Sequence, residues 1–488
     1  MIKNFKWLLL VSLSFVACTD DKSIVSPDPG TDPGAGTEVP VTSGTANFSK
    51  FVALGDSFTA GFSDRALFRK GQEGSTVSLL AKQFVLAGGG TFTNPLMVDN
   101  VGGFSSDGVQ LEQFPKRLFF TLSGQVIAPV SGISGTDISA RLTGSFSNMG
   151  VPGANSSDMM ESGYGDSADS LTVNPYYARF STSPGSTILK DALDQSPTFF
   201  SLWTGDDVLG YAVKGGDATD EITSTAQFNT DYNKVVTDMT ANGAKGVIAN
   251  IPDIMKLPYF TRVPHNPIPL NADQKAALDD GFQNYNRAMQ AAVLARVITA
   301  EEGERRTITW FVAPDNRILV EDDYLTDLSA GGNGLPSYRQ ANPDDLIVLP
   351  SQFFLGTLVD GDETKVNGVS VGLADKWVLV PQEIALVQAA REAFNVTIKA
   401  TADANGLAFV DVKAMFDQLL NGGILDGNFV LTTEYVLGGA FSLDGLHPGP
   451  RGYALIANAF SRSINATYGS TLPMIDLGLY PVLYPEVI

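Results

Sequence analysis

Ser57 stands where an apolar run, Phe51-Val52-Ala53-Leu54, breaks into Gly55-Asp56-Ser57. Far along the chain lies Asp444-Gly445-Leu446-His447-Pro448. Together the two segments offer a hydroxyl, an imidazole and a carboxylate. A hydroxyl is a poor nucleophile until a base takes its proton, and an imidazole serves best when a carboxylate fixes its tautomer and stabilises its charged form. Asp444 and His447 are three residues apart, so in a turn or a first helical turn both side chains reach the same side. The chain has 2 histidines, so His447 and His265 are the only histidine bases available. His265 lies in Val263-Pro264-His265-Asn266-Pro267, a proline-rich loop with no carboxylate close in sequence. It reads as a surface or cleft-rim residue.

A scaffold must bring the two segments together. Short β-type runs at residues 51–54, 199–203, 246–250 and 407–412 alternate with helical stretches, the pattern of a parallel sheet covered by helices. Chemistry on such a sheet collects at the carboxyl ends of the strands, and Gly55-Asp56-Ser57 directly follows the first of these runs. Asn271 can cap a helix in which Leu278, Phe282, Tyr285 and Met289 recur at helical spacing. A second helix, from Pro381 to about residue 400, carries Ile384, Val387, Ala390, Phe394 and Ile398. Both are expected to cover the sheet.

Residues 62–147 turn Gly-, Ser- and Thr-rich around apolar runs at 117–122 and 125–130, which predicts an irregular β-containing insertion. A second insertion is expected over 316–376. Asp360-Gly361-Asp362-Glu363 within it lacks the ligand spacing of an EF-hand and reads as an acidic β-turn. No internal repeat is visible.

The 488 residues are 44% hydrophobic and 10% aromatic, enough for a sizeable core. Acidic residues outnumber basic ones by 53 to 32, a net charge of -21 that repels phosphate backbones and excludes nucleic acid as a partner. At the N-terminus, Lys3 and Lys6 precede an apolar stretch from Trp7 to Val16, and Ala17 precedes Cys18, the single cysteine. This pattern resembles a bacterial lipoprotein signal: residues 1–17 as signal peptide, Cys18 as the lipidated residue and hence the membrane contact. Residues 18–47 form a Pro-, Gly- and Asp-rich tether, about 30 Å long as a flexible coil, with the folded domain at 48–488. The expected address is the cell envelope, most simply the outer membrane. Asp20 and Asp21 resemble the surface-export signals of some Gram-negative lipoproteins.

Two further segments join the first two. Asn148-Met149-Gly150-Val151-Pro152-Gly153-Ala154-Asn155 and then Trp203-Thr204-Gly205-Asp206-Asp207-Val208 lie between Ser57 and Asp444. This succession resembles the four blocks of the GDSL esterase/lipase family, also called SGNH hydrolases. The resemblance implies a flavodoxin-like α/β/α sandwich with a mainly parallel sheet. It implies Ser57 as nucleophile, His447 as general base and Asp444 as its orienting partner, with no cofactor and no metal. It also implies an oxyanion hole formed by the Ser57 and Gly153 amides together with the block III side chain. Glycine at 153 suits a backbone N–H that must approach substrate closely.

That third position departs from the family, which has asparagine where this chain has Asp206. An ionised carboxylate repels an oxyanion, and loss of one donor costs roughly 10²- to 10³-fold in rate, about 2.7–4 kcal/mol. Three arrangements answer this. Asp206 is held protonated and donates; Asn155 or Asn148 takes its place; or the protein is slow, or binds without turnover. The expected function is a serine esterase acting on esters of lipids or acylated glycans. The alternative is a surface lipoprotein that binds glycan or lipid on a catalytically impaired fold. Trp203, Phe58, Phe62 and Tyr211 are candidates for the pocket wall.

Overall fold

The computed structural model describes residues 40–121, 126–166, 173–217, 221–329 and 334–488. Its centre is a five-stranded parallel sheet of β1 (Phe51–Gly55), β2 (Asn148–Gly150), β3 (Phe199–Trp203), β4 (Lys245–Ala249) and β5 (Ala408–Val410). The spatial order is 2-1-3-4-5, the flavodoxin-like order, with the switch point beside β1. All five residues of β1 and of β3 are buried. Strands covered on both faces select near-continuous apolar runs rather than alternation, which is why these two were readable as strands.

The principal helices are α1 (Thr76–Leu86), α2 (Asp206–Val213), α3 (Thr225–Thr240), α4 (Ala272–Leu294), α5 (Pro381–Asn405) and α6 (Pro450–Tyr468). Helices α1 and α6 pack on each other, with α6 against β5; α5 packs against α2, α3 and β4. The result is the expected α/β/α sandwich. Its aromatic core includes Phe48 stacked on Phe84 at 4.0 Å and Phe228 stacked on Phe394 at 4.1 Å.

The stretch 62–147 is less irregular than its composition suggests. It contains α1, the crossover helix between β1 and β2, capped by the Ser75 side chain. Seven of the helix's 11 residues are buried, and its open side mixes Lys82 and Gln83 with the exposed Val85 and Leu86, too narrow a polar face for sequence periodicity to reveal. The two apolar runs in this stretch form an antiparallel hairpin, Leu118–Thr121 with Val126–Pro129.

The second irregular region has its own core. Val263, Ile268, Phe282, Tyr285, Met289, Trp310 and residues as far as Val380 form one cluster apart from the sheet. Helix α4 belongs to it, which corrects the expectation that α4 covers the sheet. The helix itself begins as expected, with a reciprocal capping box between Asn271 and Gln274. Helical spacing shows that a stripe is apolar but not what it faces. Asp360 and Gly361 form the turn between the paired strands Leu358–Val359 and Asp362–Val366, as the acidic β-turn reading requires.

The signal segment 1–17, Cys18 and the tether up to residue 39 lie outside the described residues. Residues 40–47 are docked on the domain: Thr45 N donates to the Tyr468 carbonyl at 2.8 Å, Ser470 Oγ to the Ser43 carbonyl at 2.8 Å, and Ala46 is buried. Among the described residues no helix is long and apolar enough to cross a membrane.

Candidate active site

The carboxyl ends of β1, β2 and β3 open onto one cleft. Ser57 follows β1 as the first residue of a single helical turn, Ser57–Ala60, capped by Asp56, whose Oδ1 accepts the Phe58 amide at 2.9 Å. Gly55 has φ +153°, and a Cβ there would lie 2.0 Å from the Trp203 carbonyl and 2.3 Å from Thr59 Oγ1. Only glycine lets the chain turn this tightly against β3. The other carboxylate oxygen of Asp56 accepts the Gly205 amide at 2.7 Å and ties the end of β1 to the end of β3.

Asp444 and His447 lie in a turn that leads into α6. Asp444 Oδ1 accepts the amides of Leu446 (2.9 Å) and His447 (2.8 Å), so the carboxylate organises its own turn. Its Oδ2 faces His447 Nδ1 at 3.0 Å, and His447 Nε2 lies 2.9 Å from Ser57 Oγ. Ser57, His447 and Asp444 are thus brought into one hydrogen-bonded line. The Phe58 and Phe62 rings flank the imidazole at 4.9 and 4.8 Å. Burial pushes the Asp444 carboxyl up, but the His447 ring and the two amides outweigh it and hold the group below the usual carboxylate range.

Two residues that sequence reasoning passed over complete this side. Asp64 and Arg65 both have left-handed backbone, φ +51° and +72°. Such conformations cost about 1–3 kcal/mol each away from glycine and persist where surrounding contacts enforce them. Here the Arg65 amide donates to Asp444 Oδ2 at 3.0 Å, and Asp64 Oδ1 accepts the Leu443 amide at 2.9 Å. Asp64 is buried and its Oδ2 has no partner among the described residues. Burial pushes it up to about 7, against the Leu443 amide and helped by the charge of Asp444. The only sequence signal was a polar Ser-Asp-Arg just beyond the nucleophile turn.

On the opposite side, Gly153 is exposed with φ +82°; a Cβ there would lie 3.7 Å from Asn174 Nδ2 and 3.9 Å from Asp206 Oδ2. No described hydrogen bond uses the amides of Ser57 or Gly153. Asn174, also unforeseen, fixes this turn by donating to the Pro152 carbonyl at 2.8 Å and to Tyr164 Oη at 2.9 Å. Asp206, at the start of α2, receives no hydrogen bond on its carboxyl from the described residues. Burial, with the charges of Asp56 and Asp207, drives it well above the usual carboxylate range. Burial likewise raises Asp56 to about 6, against the Phe58 and Gly205 amides. Asp207 is structural: it accepts Ser156 Oγ at 2.6 Å and the Ser156 amide at 3.0 Å.

The two amides weighed as substitutes for Asp206 are differently placed. Asn148 is buried and donates to the Thr59 carbonyl and to Asn94 Oδ1, so it cannot serve. Asn155 is oriented by a reciprocal turn with Asp158, its amide donating to Asp158 Oδ2 and its Oδ1 accepting the Asp158 amide, and no described hydrogen bond uses its Nδ2. His265 sits at the edge of the second core, where its carbonyl accepts the Ile318 amide. Burial and Arg317 keep its imidazole below the usual range. Of the aromatic candidates, Trp203 and Phe58 are core residues packed on each other at 4.9 Å, and Phe62 alone both flanks His447 and is partly exposed. Tyr211 lies instead near Glu383 and Tyr324.

Neither a protein-family profile nor a curated protein matches the chain. Among solved structures it is similar to LAE5, an alpha/beta hydrolase enzyme from the metagenome of Lake Arreo, Spain, at 11% identity and a TM-score of 0.34, covering 86% of this chain and 97% of that one. A likeness at this level says nothing about the reaction.

Proposed function

We propose that this protein is a serine hydrolase of the GDSL/SGNH type that cleaves carboxylic esters of lipids or acylated glycans, held at the cell envelope by a lipid on Cys18. The observation that carries the reading is the line Ser57 Oγ, His447 Nε2, His447 Nδ1, Asp444 Oδ2, with gaps of 2.9 and 3.0 Å. A merely structural role needs no such line at the open end of a parallel sheet.

In this reading His447 Nε2 takes the Ser57 proton as Oγ attacks the acyl carbon, while Nδ1–H donates to Asp444, which stays ionised and stabilises the imidazolium. The oxyanion faces the Ser57 and Gly153 amides. His447 then returns its proton to the leaving alcohol, and water, activated by the same imidazole, releases the acid from Ser57. With Asn148 consumed, Asp206, whose carboxyl lies beside Gly153, is the third donor. It serves in its protonated form, which its surroundings favour.

One observation favours a second reading. A carboxyl group beside Gly153 would disable the hole wherever it ionises, leaving a binding protein on a hydrolase scaffold. Hydrolysis of a chain-length series of aryl esters by the full chain, wild type beside Ser57→Ala, separates the two. Turnover lost with Ser57 supports the hydrolase; equal silence in both proteins favours the binding protein.

A further inference from the structure

A second group of acidic residues lies away from the Ser57 cleft, where the second core meets the sheet domain. Asp323, Asp375 and Glu383 each present a carboxylate oxygen, and the three oxygens lie within 4.8 Å of one another. They come from separate places: Asp323 and Asp375 from the second unit, Glu383 from the first turn of α5. Proximity alone proves little, since acidic turns are common.

The hydrogen bonding is what sets this group apart. Glu383 is 0% exposed, yet only one of its carboxylate oxygens is used, Oε2 accepting the Val380 amide at 2.8 Å; Oε1 has no partner among the described residues. Asp375 Oδ1 is likewise buried and unpartnered. Two orphaned carboxylate oxygens within one cluster are a large unmet demand for positive charge, because a buried charge must be paired or hold a metal. Arg339 is paired with Asp322 and Asp345, and Lys376 lies over the Trp377 ring at 5.3 Å.

We propose that Asp323, Asp375 and Glu383 bind a calcium ion that fastens the second unit to the sheet domain. The donors are all hard oxygens, and three carboxylates from separate segments suit calcium, which takes many carboxylate ligands in flexible geometry, whereas magnesium is usually held by one or two carboxylates and keeps several waters. The ion sits against the loop that follows α2. A Cβ on Gly216 would lie 2.4 Å from the Glu383 carboxyl carbon, and one on Gly215 would lie 2.7 Å from the Asp375 carbonyl. Helix α2 begins at Asp206, so the ion anchors the far end of the helix whose near end enters the Ser57 cleft. This proposal does not rest on the hydrolase reading.

The test uses the full chain in chelated buffer, titrated with calcium, with magnesium as the control and terbium as a luminescent calcium mimic sensitised through Tyr211 and Tyr324. Calcium is expected to raise the unfolding midpoint by about 3–5 °C at roughly 100-fold saturation. Terbium luminescence should appear on excitation of tyrosine and be displaced by calcium at concentrations where magnesium leaves it. Asp323→Asn, at an exposed position, and Glu383→Gln, which keeps an oxygen for the Val380 amide, should each abolish both signals. Because either change also relieves repulsion, the cation-free midpoint should hold or rise, which identifies a folded variant. Absence of both signals in wild type overturns the proposal, as does a full calcium shift retained in both variants or an equal shift with magnesium.

Discussion

Asp444 and Asp206 occupy opposite walls of one cleft, and their carboxyl groups are shifted in opposite directions. Asp444 is 9% exposed and receives three backbone amides and the His447 ring, which hold it ionised. Asp206 receives no hydrogen bond from the described residues, and burial, with the charges of Asp56 and Asp207, raises its carboxyl well above the usual range. Donors decide the difference, not burial: three amides and a potential imidazolium overcome desolvation on one wall, while like charges add to it on the other. In the proposed function Asp444 stabilises positive charge on His447 and Asp206 donates to a negative oxygen.

The comparison can be broken first at the residue both walls serve. Ser57→Ala is expected to lower ester hydrolysis by at least about 10³-fold with little change in stability, checked by initial rates and a thermal melt. On the Asp444 wall, Asp444→Asn should lower kcat by about 10²- to 10⁴-fold, because the imidazole loses both its tautomer restraint and its counter-charge. A loss under tenfold would mean that Asp444 does no more than shape its turn.

Asp206→Asn sharpens the other wall. Wild-type kcat should fall as pH rises through the raised pKa of Asp206, since the acid donates and the carboxylate repels. The amide does not titrate, so the variant should lack that fall, and its advantage should grow with pH to about 10²-fold. A pH–kcat profile identical in both proteins would place the third donor elsewhere.

A further expected effect concerns stability and not rate. Asp64 is raised to about 7 in the folded protein from an ordinary 3.8, so the folded state binds more protons than the unfolded one between those values. Its contribution is complete below about pH 4 and is lost as pH rises through 7, at most about 4 kcal/mol. Denaturant unfolding of Asp64→Asn beside wild type should show the difference between the two stabilities changing across that window. A constant offset would remove Asp64 as the titrating group.

What could be read beforehand follows from where each signal is stored. Buried parallel strands are apolar throughout, so β1 and β3 to β5 stood out, whereas β2 is the three residues Asn148–Gly150 at a sheet edge and carries no β pattern of its own. Helix α1, with Val85 and Leu86 on its exposed side, lacked the broad polar face that would have revealed it. Ser57, Asp444 and His447 were legible because their residue types are chemically distinctive and the turns that hold them are local in sequence. Arg65 and Asn174 were not, since Arg65 acts through a backbone amide and Asn174 reaches Gly153 only through tertiary packing. Asp206 was visible as an oddity, but the rise of its carboxyl above the usual range depends on burial and on Asp56, which arrives from another strand. The carboxylates of Asp323, Asp375 and Glu383 meet only after the second unit has folded onto α5.

The most direct test is covalent labelling of the full chain with a fluorophosphonate, followed by peptide mass mapping, with His447→Ala as the partner variant. Such a probe reacts with a serine only when a base activates it. The expected result is stoichiometric phosphonylation at Ser57 in wild type, lost in His447→Ala. An unlabelled Ser57 in the folded wild type, or labelling that survives loss of His447, would contradict the activation of Ser57 by His447 and Asp444.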